Sequence, residues 1–181
     1  EALEFAARAE KPGPGGGELI SVETSFSDSQ GETARVTSNG FEGETQSTSF
    51  WLSAGTTIKD PDGRRPAGYS AGGARFFAEL PAAKEIGELA TRRAYEQVGA
   101  DKIPSFVGTI VVENRVAGRL VRALLGPLSA RSLQQKQSFL EDALEKPIAS
   151  KLLTLVDDPH IPKGFASRHY DGDGFATKKR V

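Results

Sequence analysis

Between Leu19 and Phe77 the sequence changes face at every second residue and is interrupted only by turn chemistry, which commits this stretch to antiparallel β-structure. Ile20, Val22, Thr24 and Phe26 alternate with Ser21, Glu23 and Ser25, as in a half-buried strand over Leu19–Phe26. Ser27–Gly31 (SDSQG) reads as a turn and Thr33–Thr37 as the start of a second strand. Asn39-Gly40 and Glu42-Gly43 read as tight turns, where positive φ is readily reached. Ser47–Ile58 is expected as a third strand, with Phe50 and the single tryptophan, Trp51, as packing residues. Lys59–Arg64 (KDPDGR) turns the chain into a fourth strand over Ala67–Phe77. There Tyr69, Ala71 and Gly73 oppose Ser70, Gly72 and Ala74. Four such strands joined by short turns make an antiparallel meander covered on one face.

The cover is the next segment. Pro81 suits a helix start, Ala83, Ile86, Ala90, Ala94 and Val98 recur at helical spacing, and Gly99 closes the helix. Its small residues imply close approach to the sheet. Upstream, Ala2–Ala9 looks like a helix end, and Lys11–Gly17 (KPGPGGG) a flexible connector. Downstream of a linker at Ala100–Ser105, Val107–Val112 is an apolar run expected as a strand buried on both faces. A helix follows, with Ala117, Leu120, Val121, Leu124 and Leu128 on one stripe and a stop at Gly126-Pro127. Ser129–Leu144 repeats the helical pattern through Leu133, Leu140 and Leu144 until Pro147, and Leu152–Val156 reads as another buried strand. The expected fold is α+β: a meander with a covering helix, then a strand–helix–helix–strand segment. The expected domains are residues 1–17 (helix end and linker), 18–104 (central domain) and 105–181 (an incomplete C-terminal domain).

Net charge is −1, so no basic field supports extended contact with nucleic acid. Cysteine is absent, which removes disulfides, thiolate nucleophiles and thiolate zinc sites together. No apolar run approaches a membrane span, and Glu1–Glu10 is too charged for a signal peptide. A chain with no methionine reads as part of something longer, most simply a cytoplasmic protein.

Only His160 and His169 are available as imidazoles, and they sit in the tail with Asp157, Asp158, Asp171 and Asp173. These residue types suit zinc or manganese, and would then support an independent metal-dependent hydrolase. Asp-Asp-Pro-His is equally ordinary turn chemistry. Asp171–Gly174 (DGDG) opens like a calcium loop, but Ala176 and Lys178 fall where oxygen ligands are needed. The glycine-rich stretches Gly13–Gly17 and Gly72-Gly73 match no phosphate-binding pattern and mark turns, bulges or close backbone approach.

A set of segments in fixed order carries a resemblance. It comprises Ser38–Gly43 (SNGFEG), Ser47–Ser53 (STSFWLS), Gly68–Ser70 with Arg75, Ile86–Ala90 (IGELA), Thr109–Glu113, Leu128–Leu140 (LSARSLQQKQSFL), Leu153–Pro159 (LTLVDDP), Gly164–Ser167 (GFAS) and Tyr170–Gly174 with Thr177. The chain resembles the TldD/PmbA family, historically the modulators of DNA gyrase, over nearly its whole length from the second expected strand onward. The resemblance implies one of two arms: zinc peptidases with an HExxxH motif on a helix after a buried strand, or PmbA-like (TldE) partners lacking it. Carried over, the first histidine of that motif falls at Arg122, the glutamate at Ala123 and the second histidine at Pro127. None of these ligates zinc or activates water, and LSARSLQQKQSFL is the PmbA-like version. The resemblance therefore implies a non-catalytic subunit with no cofactor of its own, zinc in a TldD-like partner, and a joint enclosure for unfolded peptide. A homo-oligomer and a gyrase-directed role are the other associations it raises.

Overall fold

Two hairpin turns, at Asn39-Gly40 and Asp62-Gly63, organise the β-structure, and three strands form where four were expected. The computed structural model of the chain describes residues 1–13 and 15–180. Pro14 of the expected connector and Val181 of the tail lie outside the described residues. Strands β1 (Glu18–Val36), β2 (Glu42–Lys59) and β3 (Ala67–Ala74) form one antiparallel sheet in that order. In the first turn Thr37 N–H donates to the Phe41 carbonyl at 3.0 Å, and Gly40 takes φ +86°. Gly63 takes φ +88° in the second, a conformation glycine adopts without steric cost.

The expected turn at Ser27–Gly31 is instead the middle of β1, paired in register from Ser27 with Trp51 to Gly31 with Ser47. Turn propensity there loses to a partner strand offering a pair of hydrogen bonds at every second residue. For the same reason Glu42-Gly43 is the start of β2, with Gly43 opposite Arg35. The last strand stops at Ala74 rather than Phe77, and Phe77–Glu79 makes a single 3-10 turn.

Two helices, α1 (Ala2–Ala9) and α2 (Ala83–Tyr95), complete this layer. Ala54, Thr56 and Ile58 of β2 are buried while Trp51 on the opposite parity is half exposed, so the even face of the strand meets the helix. Leu3, Ala54, Ile86 and Ala90 form the core, flanked by Leu52 and Ala83. As the small residues led one to expect, α2 lies close to the sheet: a Cβ on Gly68 would collide with the Ala90 carbonyl oxygen and the Ala94 nitrogen. Regular helix ends at Tyr95, a turn short of Gly99. Residues 96–99 close in tighter turns, and Gly99, at φ +74°, donates its N–H to Asp60 Oδ2 at 2.9 Å.

A polar thread crosses the layers. Thr91 Oγ1 donates to the Ala7 carbonyl at 2.9 Å and lies 3.0 Å from Thr56 Oγ1, all buried. Thr91→Val keeps the shape but leaves two buried polar groups short of a partner. It should cost about 1–3 kcal/mol, read as a lower urea midpoint with Thr91→Ser recovering most of the loss.

The chain divides into two compact units, Glu1–Lys102 with Val156–Val181, and Ile103–Leu155. The second holds helices α3 (Asn114–Leu125) and α4 (Ala130–Gln134). The α+β class and the helix pair stand, but Val107–Val112 and Leu152–Val156 take no strand structure. A strand buried on both faces needs neighbours on both edges, and none pairs with these segments among the described residues; Val107, Ile110 and Val111 stand exposed. The expected helix over Ser129–Leu144 is only α4. Lys136 takes φ +54°, its N–H reaches the Leu133 carbonyl and that of Gln137 the Ser132 carbonyl, a Schellman stop made without glycine.

Candidate functional site

Arg122 and Ala123 occupy the last turn of α3 and stand exposed; Pro127 follows the capping residue Gly126 and is partly buried. Proline has no N–H, so the Ala123 carbonyl loses its ladder partner there. The Leu128 N–H still reaches the Leu124 carbonyl at 3.2 Å, and Gly126 keeps right-handed helical angles. The chain thus winds around the proline, and the Pro127 carbonyl accepts the Ser138 hydroxyl at 2.8 Å. A permanently protonated guanidinium, a methyl group and a ring without a lone pair offer a cation nothing. These three residues do not fit a zinc ion.

The tail cluster is brought together only in part. The rings of His160 and His169 stack with centroids 5.9 Å apart, but the carboxylates of Asp158 and Asp171 are committed elsewhere. Asp158 Oδ1 accepts the His160 N–H at 3.0 Å and Oδ2 pairs with Lys179 at 3.1 Å. That backbone hydrogen bond, then the lysine, holds the Asp158 carboxyl below the ordinary range. Asp171 accepts the N–H groups of Asp173 and Phe175, each at 3.0 Å, and its carboxyl is lowered for that reason. Asp157 exchanges backbone hydrogen bonds with Arg180, and the Asp173 carbonyl accepts from Asn39 Nδ2 at 3.0 Å. His160 Nε2 lies 3.1 Å from Thr177 Oγ1. Among the described residues no three His, Asp or Glu side chains are placed to hold a metal ion. The cluster shapes turns.

What those turns accomplish is the return of the tail to the sheet. Phe165 stacks on Trp51 with centroids 5.0 Å apart and planes 21° off parallel. Arg75 lies 5.1 Å from the Phe165 ring and donates to the carbonyls of Phe165 (2.6 Å) and Thr48 (2.9 Å). Phe41 packs on Tyr170, and Arg35 donates to the Gly172 carbonyl at 2.7 Å. Between the returning tail and residues 44–48 of β2 a cleft of about 760 Å³ remains, lined also by Arg75 and Phe76.

Sequence reasoning missed this cleft, and with it the roles of Arg75 and Phe165. One signal bears on it. Trp51 pairs with Gly73 across the ladder, and a Cβ at Gly73 would meet the indole ring at 2.5–2.7 Å. The glycine lets the ring lie across the neighbouring strand, where Phe165 stacks on it.

Comparison with known proteins adds a second line of observation. The family model described as the PmbA/TldA metallopeptidase central domain matches residues 1–98, and the one described as the C-terminal domain of the same metallopeptidases matches residues 107–181. The metalloprotease PmbA of Escherichia coli O157:H7 is 29% identical over 182 residues, covering 99% of this chain and 40% of that protein. A metalloprotease of Methanothermobacter thermautotrophicus is 29% identical over 166 residues, 90% of this chain and 36% of its own length. The solved structure of a Bacteroides thetaiotaomicron protein, described as a candidate modulator of DNA gyrase, superposes with a TM-score of 0.88 at 37% identity. It covers 98% of this chain and 40% of that one. A Thermotoga maritima structure at 21% identity shares the fold with a TM-score of 0.86 over 99% of this chain and 40% of that one. The chain thus spans about two fifths of the length of these relatives.

Proposed function

The chain belongs to the PmbA/TldD metallopeptidase family, and from that membership we propose that it acts as the non-catalytic partner of a TldD-like zinc peptidase, helping to enclose unfolded peptides for cleavage. One observation carries the reading: the positions to which the resemblance carries the family's zinc motif hold Arg122, Ala123 and Pro127, which supply neither ligand nor general base. The partner would provide the zinc, its activated water and the bond-breaking step. This chain would provide backbone and side-chain surface for an extended peptide. No helix among the described residues is long and apolar enough to cross a membrane, which accords with a cytoplasmic setting. A gyrase-directed role, raised by the description of the Bacteroides protein, draws no support from a net charge of −1 if DNA were the contact.

Co-expression with a TldD-like protein from the same source tests the proposal. The two should co-purify, peptide cleavage should need the TldD-like chain, and zinc should follow that chain in metal analysis. Cleavage by this chain alone, or stoichiometric zinc in it that disappears in His160→Ala and His169→Ala, would instead establish an independent hydrolase.

A further inference from the structure

The turn that joins β1 to β2 is also where the tail is fastened, and one exposed side chain serves both. Asn39 Nδ2 donates to the Asp173 carbonyl at 3.0 Å, while Asn39 Oδ1 accepts the Thr37 hydroxyl and, at 3.2 Å, the Phe41 N–H. The packing around it has no slack. The Phe41 and Tyr170 rings lie with centroids 4.7 Å apart, and a Cβ at Gly174 would meet Phe41 side-chain atoms at 2.2–2.6 Å. The same asparagine precedes a glycine, so no Cβ obstructs attack by the Gly40 nitrogen on Asn39 Cγ. The two donors on Oδ1 polarise that carbonyl and stabilise the negative charge that attack places on it. Two bonds restrain the reaction. The Gly40 N–H is engaged by the Thr37 carbonyl at 3.1 Å, and the Asp173 carbonyl holds the Nδ2 that must leave. The tail supplies the second of them.

We propose that Asn39 is a self-modifying latch: its side-chain amide cyclises onto Gly40, and the acid that results unfastens the tail from the hairpin tip. The bond between the Gly40 nitrogen and Asn39 Cγ forms, the Cγ–Nδ2 bond breaks, and Nδ2 leaves as ammonia with the proton the Gly40 nitrogen gives up. Water then opens the cyclic imide. Cleavage at Cγ yields aspartate, and cleavage at the main-chain carbonyl yields isoaspartate; no oxidant or reductant is involved. Either product lacks the amide donor and sets a carboxylate against the Asp173 carbonyl oxygen, acceptor against acceptor. Isoaspartate also inserts a methylene between Thr37 and Phe41, whose 3.0 Å N–H to carbonyl bond closes the hairpin. Phe41 must then shift against Tyr170 and Gly174, where there is no room. Arg35 still donates to the Gly172 carbonyl, so the tail loosens at the tip while one tie to the strand remains. Each spontaneous opening of the tail frees Nδ2, and conversion during that opening makes it permanent.

The test ages the unaltered chain in warm, mildly alkaline buffer and follows it by mass spectrometry of tryptic peptides. Cleavage after Arg35 and Lys59 isolates Asn39, and cleavage after Lys102 and Arg115 isolates the other asparagine, Asn114, which precedes an arginine at the start of α3 and serves as reference. The peptide of residues 36–59 should gain the mass difference between amide and acid and elute in two forms, aspartate and isoaspartate, while Asn114 keeps its amide. Tyr170→Ala removes the ring packed on Phe41 and should convert about fivefold faster, as expected when one hydrogen bond to the leaving group is released. The converted chain carries an extra negative charge, so ion exchange separates it from the remainder for hydrogen exchange. Its amides over residues 170–177 should exchange about fivefold faster or more, while the ladder from Ser21 to Ser27 keeps its protection. Conversion of Asn39 no faster than that of Asn114, an unchanged rate in Tyr170→Ala, or a converted chain whose tail amides exchange like those of fresh protein would overturn the proposal. Ageing and exchange are read on the unaltered chain, so a folding defect in Tyr170→Ala leaves the test decisive.

Discussion

Gly68→Val should destabilise the fold by about 3 kcal/mol, near the top of the range for overpacking a filled interior. The reason is backbone against backbone. Gly68 lies on β3 where α2 crosses, and a Cβ there would fall within the shell of the Ala90 carbonyl oxygen and the Ala94 nitrogen, with the Arg93 carbonyl carbon at 3.0 Å. A flexible side chain would rotate away; a helical peptide group is fixed by its own hydrogen bonds. To admit the valine, α2 must lift from the sheet. That movement would open the contacts of Ile86 and Ala90 with Ala54 and strain the thread from Thr56 through Thr91 to Ala7. Gly55→Ala is the matched control, because a Cβ at Gly55 meets nothing within 4 Å. It should leave stability within about 1 kcal/mol of the parent. Urea unfolding of both variants measures the difference, and near-equal midpoints would mean that α2 does not rest on β3.

The same contact explains what the sequence could disclose. Small residues at helical spacing in 83–94 require something close by, and a glycine-rich strand is what small residues fit against. The meander, its covering helix and the Asn39-Gly40 turn were legible because each is a local pattern. Ser27–Gly31 was misread because its conformation is set by Ser47–Trp51, some twenty residues away, and not by its own composition. Val107–Val112 erred in the opposite direction: its apolar run states a need for neighbours, but a sequence window cannot show whether a strand arrives on either edge. At the site, the absence of ligating chemistry at Arg122, Ala123 and Pro127 was readable from residue types alone. The cleft was not. It depends on Phe165 meeting Trp51 and on Arg75 joining the Thr48 carbonyl to that of Phe165, which lies 90 positions further along the chain. No periodicity encodes them.

Arg75→Ala should release the returning tail while leaving the sheet and helices folded. One guanidinium bonds the Thr48 carbonyl on the strand and the Phe165 carbonyl on the tail, touches the Gly164 carbonyl at 3.4 Å, and lies over the Phe165 ring. Charge-assisted hydrogen bonds of this kind contribute about 1.5–3 kcal/mol each, less where water can take over. Two of them removed together should lower the local opening free energy of residues 159–170 by about 2–4 kcal/mol. Hydrogen exchange resolves this directly: amides around Gly164 and Phe165 should lose protection while those of α2 and the β1–β2 ladder keep theirs. Trp51 fluorescence should shift as the indole loses its stacked partner. Arg75→Lys retains the charge without the planar fork that spans two acceptors, so it should recover only part of the protection. Unchanged exchange at Gly164 and Phe165 in Arg75→Ala would show that the tail is held without Arg75, by its aromatic contacts and its other ties to the sheet, such as Arg35 to the Gly172 carbonyl.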